Sequence, residues 1–81
     1  MVADLFPLHA WIGSRWSPVP SIDAHGRAVV ARWPGAVGRP VASGWVWRVG
    51  DRIVAELRGR LTRGGRITGA WQGWIAEPNG G

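Results

Sequence analysis

Two segments of alternating polarity, residues 52–62 and 66–76, restrict the fold more than any other feature of this sequence. Alternation with a period of two is typical of a β-strand that has one buried face. The apolar side of the first segment consists of Ile53, Ala55, Leu57, Gly59 and Leu61, and its polar side of Arg52, Val54, Glu56, Arg58, Arg60 and Thr62. One side of the second segment carries Ile67, Gly69, Trp71, Gly73 and Ile75. The intervening Arg63-Gly64-Gly65 favours a turn, so the pattern predicts an antiparallel β-hairpin.

The register of this hairpin follows from the requirement that paired residues share a face. A two-residue loop would place apolar residues opposite polar ones, whereas a three-residue loop at 63–65 keeps the two apolar sides together. The pairs expected from the three-residue loop are Leu61 with Ile67, Gly59 with Gly69, Leu57 with Trp71, and Ile53 with Ile75. Glycine pairs in mid-hairpin permit sharp bending, so we expect a strongly bent sheet.

The rest of the chain adds shorter predicted elements. Residues 1–16 form an N-terminal arm or a short turn, because Pro7 prevents a long helix there. We expect an edge strand or an extended connector at 17–21, a turn at 22–27, a strand at 28–33, a Gly/Pro loop at 34–44 and a strand at 45–49. The prediction is a single all-β domain, 1–81, that ends in a three-stranded meander at 45–76. Its sheet or barrel has five to six strands and the size of SH3-like or OB-like domains, with at most one short helical turn near the N-terminus.

Composition narrows the class of protein. The 81 residues include no cysteine, which excludes disulfides and thiolate zinc sites, and 46% hydrophobic residues against 19% charged ones exclude a disordered tail. Seven tryptophans supply the large side chains that so small a core needs, and we expect most of them inside. No apolar run approaches the ~20 residues of a membrane span, and no signal-peptide pattern opens the chain. These features favour a cytoplasmic or virion-associated protein.

The formal net charge of +5 supports two interpretations. One is an anionic partner such as nucleic acid, an acidic protein or an acidic membrane surface. The other is a GC-rich coding sequence, which would produce many Arg, Gly, Ala, Pro and Trp codons and few Lys or Tyr codons. Composition alone does not separate the two.

The polar side of the hairpin is the candidate binding face. Its residues are Arg52, Arg58, Arg60, Arg66, Gln72 and Trp74. Guanidinium groups bind phosphate and an exposed indole stacks on bases, although a merely solvated face, with Trp74 packed under the N-terminal arm, explains the same pattern. Trp45 and Trp47 depend on the loop after Val49. A two-residue loop would add them to the candidate face, whereas a three-residue loop would direct them into the core.

The sequence offers little for catalysis. His9 and His25 are its only histidines, and a metal site needs at least three converging ligands. Neither a nucleophile-elbow motif nor a phosphate-cradling glycine loop is present. We therefore predict a protein that is not an enzyme and uses no cofactor or metal.

Three functions remain from the sequence. The first is a structural or interaction subunit that docks into a larger assembly of protein subunits, such as a virion capsid or tail, with homo-oligomerisation as one form of docking. The alternative is a small β-barrel that binds nucleic acid through its Arg/Trp face. The third is a carbohydrate-binding module.

Overall fold

The computed structural model describes residues 13–78 and contains five strands and one helix. In chain order these are β1 (Gly13–Pro18), α1 (Ile22–Arg32), β2 (Val37–Val41), β3 (Gly44–Val49), β4 (Arg52–Arg58) and β5 (Gln72–Ile75). The strands form one antiparallel sheet in the order β1-β5-β4-β3-β2. The predicted small antiparallel sheet of about five strands is confirmed, and within the described residues it is open, not closed into a barrel. Most of the predicted N-terminal arm lies outside these residues, and its last four residues belong to β1.

The helix α1 corrects the predicted turn at 22–27 and strand at 28–33. Ser21 caps the helix by accepting a hydrogen bond from the backbone N–H of Ala24 at 3.1 Å. The buried residues His25, Ala28 and Val29 have the i, i+3, i+4 spacing of a helix that packs on one side. Burial of this side against the sheet outweighs the weak helix propensity of the β-branched pair at 29–30. At eleven residues, α1 is too short and too polar to cross a bilayer.

The cap predicts a measurable loss of stability. Ser21→Ala should lower the free energy of unfolding by about 1 kcal/mol, because the N–H of Ala24 loses its acceptor. Ser21→Asp retains an acceptor and is the matched control, expected to stay within about 0.5 kcal/mol of the wild type. Urea unfolding followed by circular dichroism measures both. Equal stability of the alanine and aspartate variants would contradict the cap.

Strand β2 lies inside the predicted Gly/Pro loop, which is therefore shorter than expected. Pro40 is tolerated because β2 is at the edge of the sheet and pairs only with β3. Gly38 is required by the neighbouring indoles, since a Cβ atom there would lie 2.6 Å from Nε1 of Trp47 and 2.8 Å from Nε1 of Trp45. The glycine that resembled a loop signal thus makes room for two large rings.

A β-bulge in β4 determines the positions of Trp45 and Trp47. The turn has two residues, since Val49 pairs with Arg52, yet Trp47 pairs with Ala55 and not with Val54. The extra residue is Val54. Because it has no partner on β3, the side chains paired beyond it, including Trp47, point to the face opposite the one expected without a bulge. The predicted link between a two-residue turn and outward-facing tryptophans is therefore wrong. Trp47 is only 5% exposed, and Trp45 packs partly buried against the core.

The β4–β5 register agrees with the prediction at the turn and differs further along. The pair Leu61–Ile67 is present, but Leu57 pairs with Gly73 rather than Trp71, and Ile75 pairs with Ala55 rather than Ile53. Two residues, 59–60, therefore lie opposite four, 68–71, so both strands are shorter than predicted. Because the shift is two residues, each side chain of the ladder keeps its face.

The core lies between α1 and one face of the sheet, which we call the helix face. The side chains of Val29, Val54, Leu57 and Ile75 are at most 1% exposed there. His25 lies against Gly73 and makes an edge-on contact with the Trp47 ring, with 5.3 Å between centroids. The opposite side of the sheet, the open face, has no helix over it within residues 13–78.

Candidate functional site

The open face receives side chains from all five strands. One row across the sheet runs through the register partners Arg39, Val46, Glu56 and Trp74. Alternation along each strand places a further set on the same face: Trp16, Val37, Val41, Arg48, Arg58 and Gln72. This face thus combines three guanidinium groups, two indoles and three valines with a single carboxylate.

The closest aromatic contact on the open face joins β4 to β1. The guanidinium carbon of Arg58 lies 3.9 Å from the centroid of the Trp16 ring. A cation over an indole face is attracted by the ring quadrupole, and stacking leaves the N–H donors at the edge of the guanidinium available for hydrogen bonds. Arg58 is exposed and pairs with Gln72 in the ladder, so a second polar side chain lies beside it.

Trp74 is held in place by a side-chain hydrogen bond. Its indole Nε1 donates to Oε2 of Glu56 at 3.1 Å, and both residues are half-buried. The bond occupies the only polar atom of the indole and fixes the orientation of the ring. What Trp74 still offers a ligand is the exposed part of its ring face.

The β2–β3 side of the open face is basic and apolar. A groove there is lined by Val37, Val41, Val46, Arg39 and Arg48. Both arginines are exposed, and within residues 13–78 no carboxylate forms an ion pair with either guanidinium. This part of the face therefore presents uncompensated positive charge.

The predicted binding residues separate into four groups. Arg58, Gln72 and Trp74 are brought together on the open face. Arg60 and Arg66 are exposed and lie in the hairpin 59–71, which we call the basic hairpin. Arg52 is turned away by the bulge, and its guanidinium carbon lies 5.1 Å from the ring centroid of Trp33. Trp45 and Trp47 belong to the helix face.

The open face carries three basic or aromatic residues that the predicted binding set does not include: Trp16, Arg39 and Arg48. Trp16 belongs to the predicted N-terminal arm, and nothing local in the sequence indicates that β1 pairs with β5. Arg39 lies in the predicted Gly/Pro loop, so the sequence does not indicate that it belongs to a strand. For Arg48 the sequence does contain an indication, because Arg48 follows Trp47 in a predicted strand and the two side chains must point to opposite faces.

His25 is fully buried on the helix face and does not join the candidate site. Burial lowers its pKa from 6.5 to about 4, and hydrogen bonding to the backbone of Trp74 and Glu56 opposes this shift in part. His25 is therefore neutral at pH 7. Within the described residues, no group of three His, Cys, Asp or Glu side chains is placed to hold a metal ion. His9 lies outside those residues.

The chain matches no protein-family model, and no curated protein or solved structure is significantly similar to it.

Proposed function

We propose that this protein is a non-enzymatic binding module whose open face binds single-stranded nucleic acid. The observation that carries the proposal is the Arg58–Trp16 stack, which lies beside Gln72 on an uncovered sheet face. Antiparallel sheets with aromatic side chains on an uncovered face are a common platform for unpaired bases. Each stacked base contributes about 1–3 kcal/mol, and any base can stack because all have a π-face.

The positions of the charges on the open face favour a bound nucleic-acid strand that runs diagonally across the β-sheet. Arg58 is on β4, Arg48 on β3 and Arg39 on β2. Arg58 pairs with Gly44 and Arg39 with Val46, so along β3 the guanidinium groups stand at the levels of residues 44, 46 and 48. At about 3.4 Å per residue these levels extend over roughly 13 Å along the strands, and the strand spacing of about 4.8 Å spreads them over roughly 10 Å across the sheet. Phosphates bound along this line would neutralise the face, while bases stack on the Trp16 and Trp74 side.

Charge reversal at Arg58 tests the proposal. Arg58→Glu should weaken binding of a fluorescein-labelled oligo-dT of about 15 nucleotides by at least about tenfold, since one phosphate or base contact is lost and a repulsion is added. Fluorescence anisotropy at low salt measures the affinity. Binding by the wild type should weaken steeply as salt is raised.

Arg27→Glu is the matched control for charge. Arg27 is exposed on α1, on the opposite side of the sheet, so its reversal changes the net charge equally without touching the open face. We expect it to weaken binding by less than about threefold, through the long-range field alone. Equal losses in the two variants would contradict a site on the open face, and absence of binding by the wild type would reject the function.

The second candidate function is that of a subunit which docks into a protein assembly, such as a virion capsid or tail. It is favoured by the exposed apolar strip beside the sheet edge, where Val37 is 56% and Val41 49% exposed. Exposed valines flanked by Arg39 and Arg48 suit a partner surface that is apolar with an acidic rim. Oligomers seen by light scattering, together with no oligonucleotide binding, would favour this candidate over the first.

A further inference from the structure

A second groove lies at the end of the sheet, where the basic hairpin begins. The β4–β5 ladder ends at the pair Arg58–Gln72, and the unequal segments 59–60 and 68–71 then separate before the pair Leu61–Ile67. Gly69 allows this path because its φ of +81° is in the left-handed region. The space has a volume of about 590 Å³, and its lining includes Arg58, Arg60, Gly69, Ala70, Trp71 and Gln72. We call it the hairpin groove.

The lining of the hairpin groove includes residues with hydrogen-bond donors and no carboxylate. Arg58 and Arg60 carry guanidinium groups and Gln72 carries an amide. The indole nitrogen of Trp71 lies toward Gly69, at 3.9 Å from the position that a Cβ atom of Gly69 would take. Residues 57–76 contain no Asp or Glu, so nothing on the hairpin compensates these charges. Such a set of donors is complementary to an anion with several oxygens.

We propose that the hairpin groove binds a backbone phosphate of the nucleic-acid strand whose bases stack on the open face. This inference rests on the proposed function and adds the position of one phosphate to it. Arg58 belongs to both places, since it stacks on Trp16 and lines the groove. A nucleotide whose base lies at Trp16 would therefore lie next to the groove that Arg60 also lines. The groove fixes where the strand enters the open face.

Inorganic phosphate is the probe for the groove by itself. In ¹H–¹⁵N spectra, phosphate should cause a saturable shift of the Trp71 indole N–H, identified by its loss in Trp71→Phe, and chloride at equal ionic strength should not. Arg60→Gln should abolish the shift. Arg63→Gln is the matched control, because Arg63 is exposed on the same hairpin but does not line the groove, and it should keep the shift. No saturable shift, or equal shifts in the two variants, would overturn the groove as a phosphate site.

Oligo-dT binding identifies the source of the phosphate. For single-stranded nucleic acid, each lost phosphate contact reduces the steepness of the plot of log K against log salt concentration by about 0.7. Arg60→Gln should show this change in slope, and Arg63→Gln should not. If oligo-dT binds through Arg58 with an unchanged slope in Arg60→Gln, the groove inference fails and the proposed function stands. If phosphate shifts Trp71 but no oligonucleotide binds, nucleic acid is overturned as the ligand of both sites.

Discussion

Replacing Trp47 with alanine is expected to lower the free energy of unfolding by about 4 kcal/mol, the usual cost of truncating a buried aromatic side chain. Trp47 is 5% exposed and is the largest side chain among the buried residues of the core. It contacts both layers, because its ring packs against His25 of α1 and against Gly38 of β2. A domain of this length has a total stability of roughly 4–12 kcal/mol, so the loss removes between about a third of that stability and all of it.

Urea unfolding followed by circular dichroism tests this expectation. Trp47→Phe retains a ring and should lose less than Trp47→Ala. Val30→Ala is the control for apolar truncation outside the core, since Val30 is 49% exposed on α1, and it should change stability by less than about 0.5 kcal/mol. A loss below about 1 kcal/mol in Trp47→Ala would show that the indole is not packed between helix and sheet.

The position of Trp47 also shows where reasoning from the sequence stops. The turn at Gly50-Asp51 was available from the sequence, and it has the two residues that one of the alternatives required. From that turn alone, Trp47 would face outward. The bulge at Val54 turns Trp47 to the helix face instead, and no local residue pattern predicts this bulge. It forms because it buries Val54 and Trp47 together, which is a property of the assembled core.

The helix was missed for a related reason. The segment 28–33 is short and mostly apolar, and it contains the β-branched pair Val29 and Val30. This composition favours a strand when the packing against the rest of the fold is not considered. What makes the segment helical is the Ser21 cap and the fit of His25 and Val29 to the sheet. The cap was readable from the sequence, whereas the complementary surface was not.

The candidate site was predicted in part, for reasons that can be traced to particular residues. Arg58, Gln72 and Trp74 share a face because the real register differs from the predicted one by two residues, and such a shift preserves faces. Arg52 was misplaced because it lies beyond the bulge. Trp16 was missed because β1 and β5 are separated by more than fifty residues, and no turn between them fixes their pairing.

Acidification is expected to destabilise the protein by about 3 kcal/mol between pH 7 and pH 4, because His25 must be neutral in the fold. Burial holds its pKa at about 4 in the folded protein, against 6.5 in an unfolded chain. Between these values the unfolded state binds more protons than the folded state, so stability rises with pH. The contribution of His25 is therefore complete above about pH 6.5, is lost as the pH falls through 4, and is constant only once the folded state is protonated as well.

The space for His25 is provided by Gly73, where a Cβ atom would lie 2.7 Å from Cε1 of the imidazole. A ring held so closely between α1 and the backbone of β5 has no room for the water that a charged imidazolium would need. Urea unfolding at pH values from 4 to 7 should show the slope in the wild type. In His25→Phe, which keeps an aromatic ring but does not titrate, the part of the slope due to this residue should disappear, whatever the variant's absolute stability. An unchanged slope in His25→Phe, or an imidazole pKa near 6.5 by NMR titration of the folded protein, would contradict the assignment.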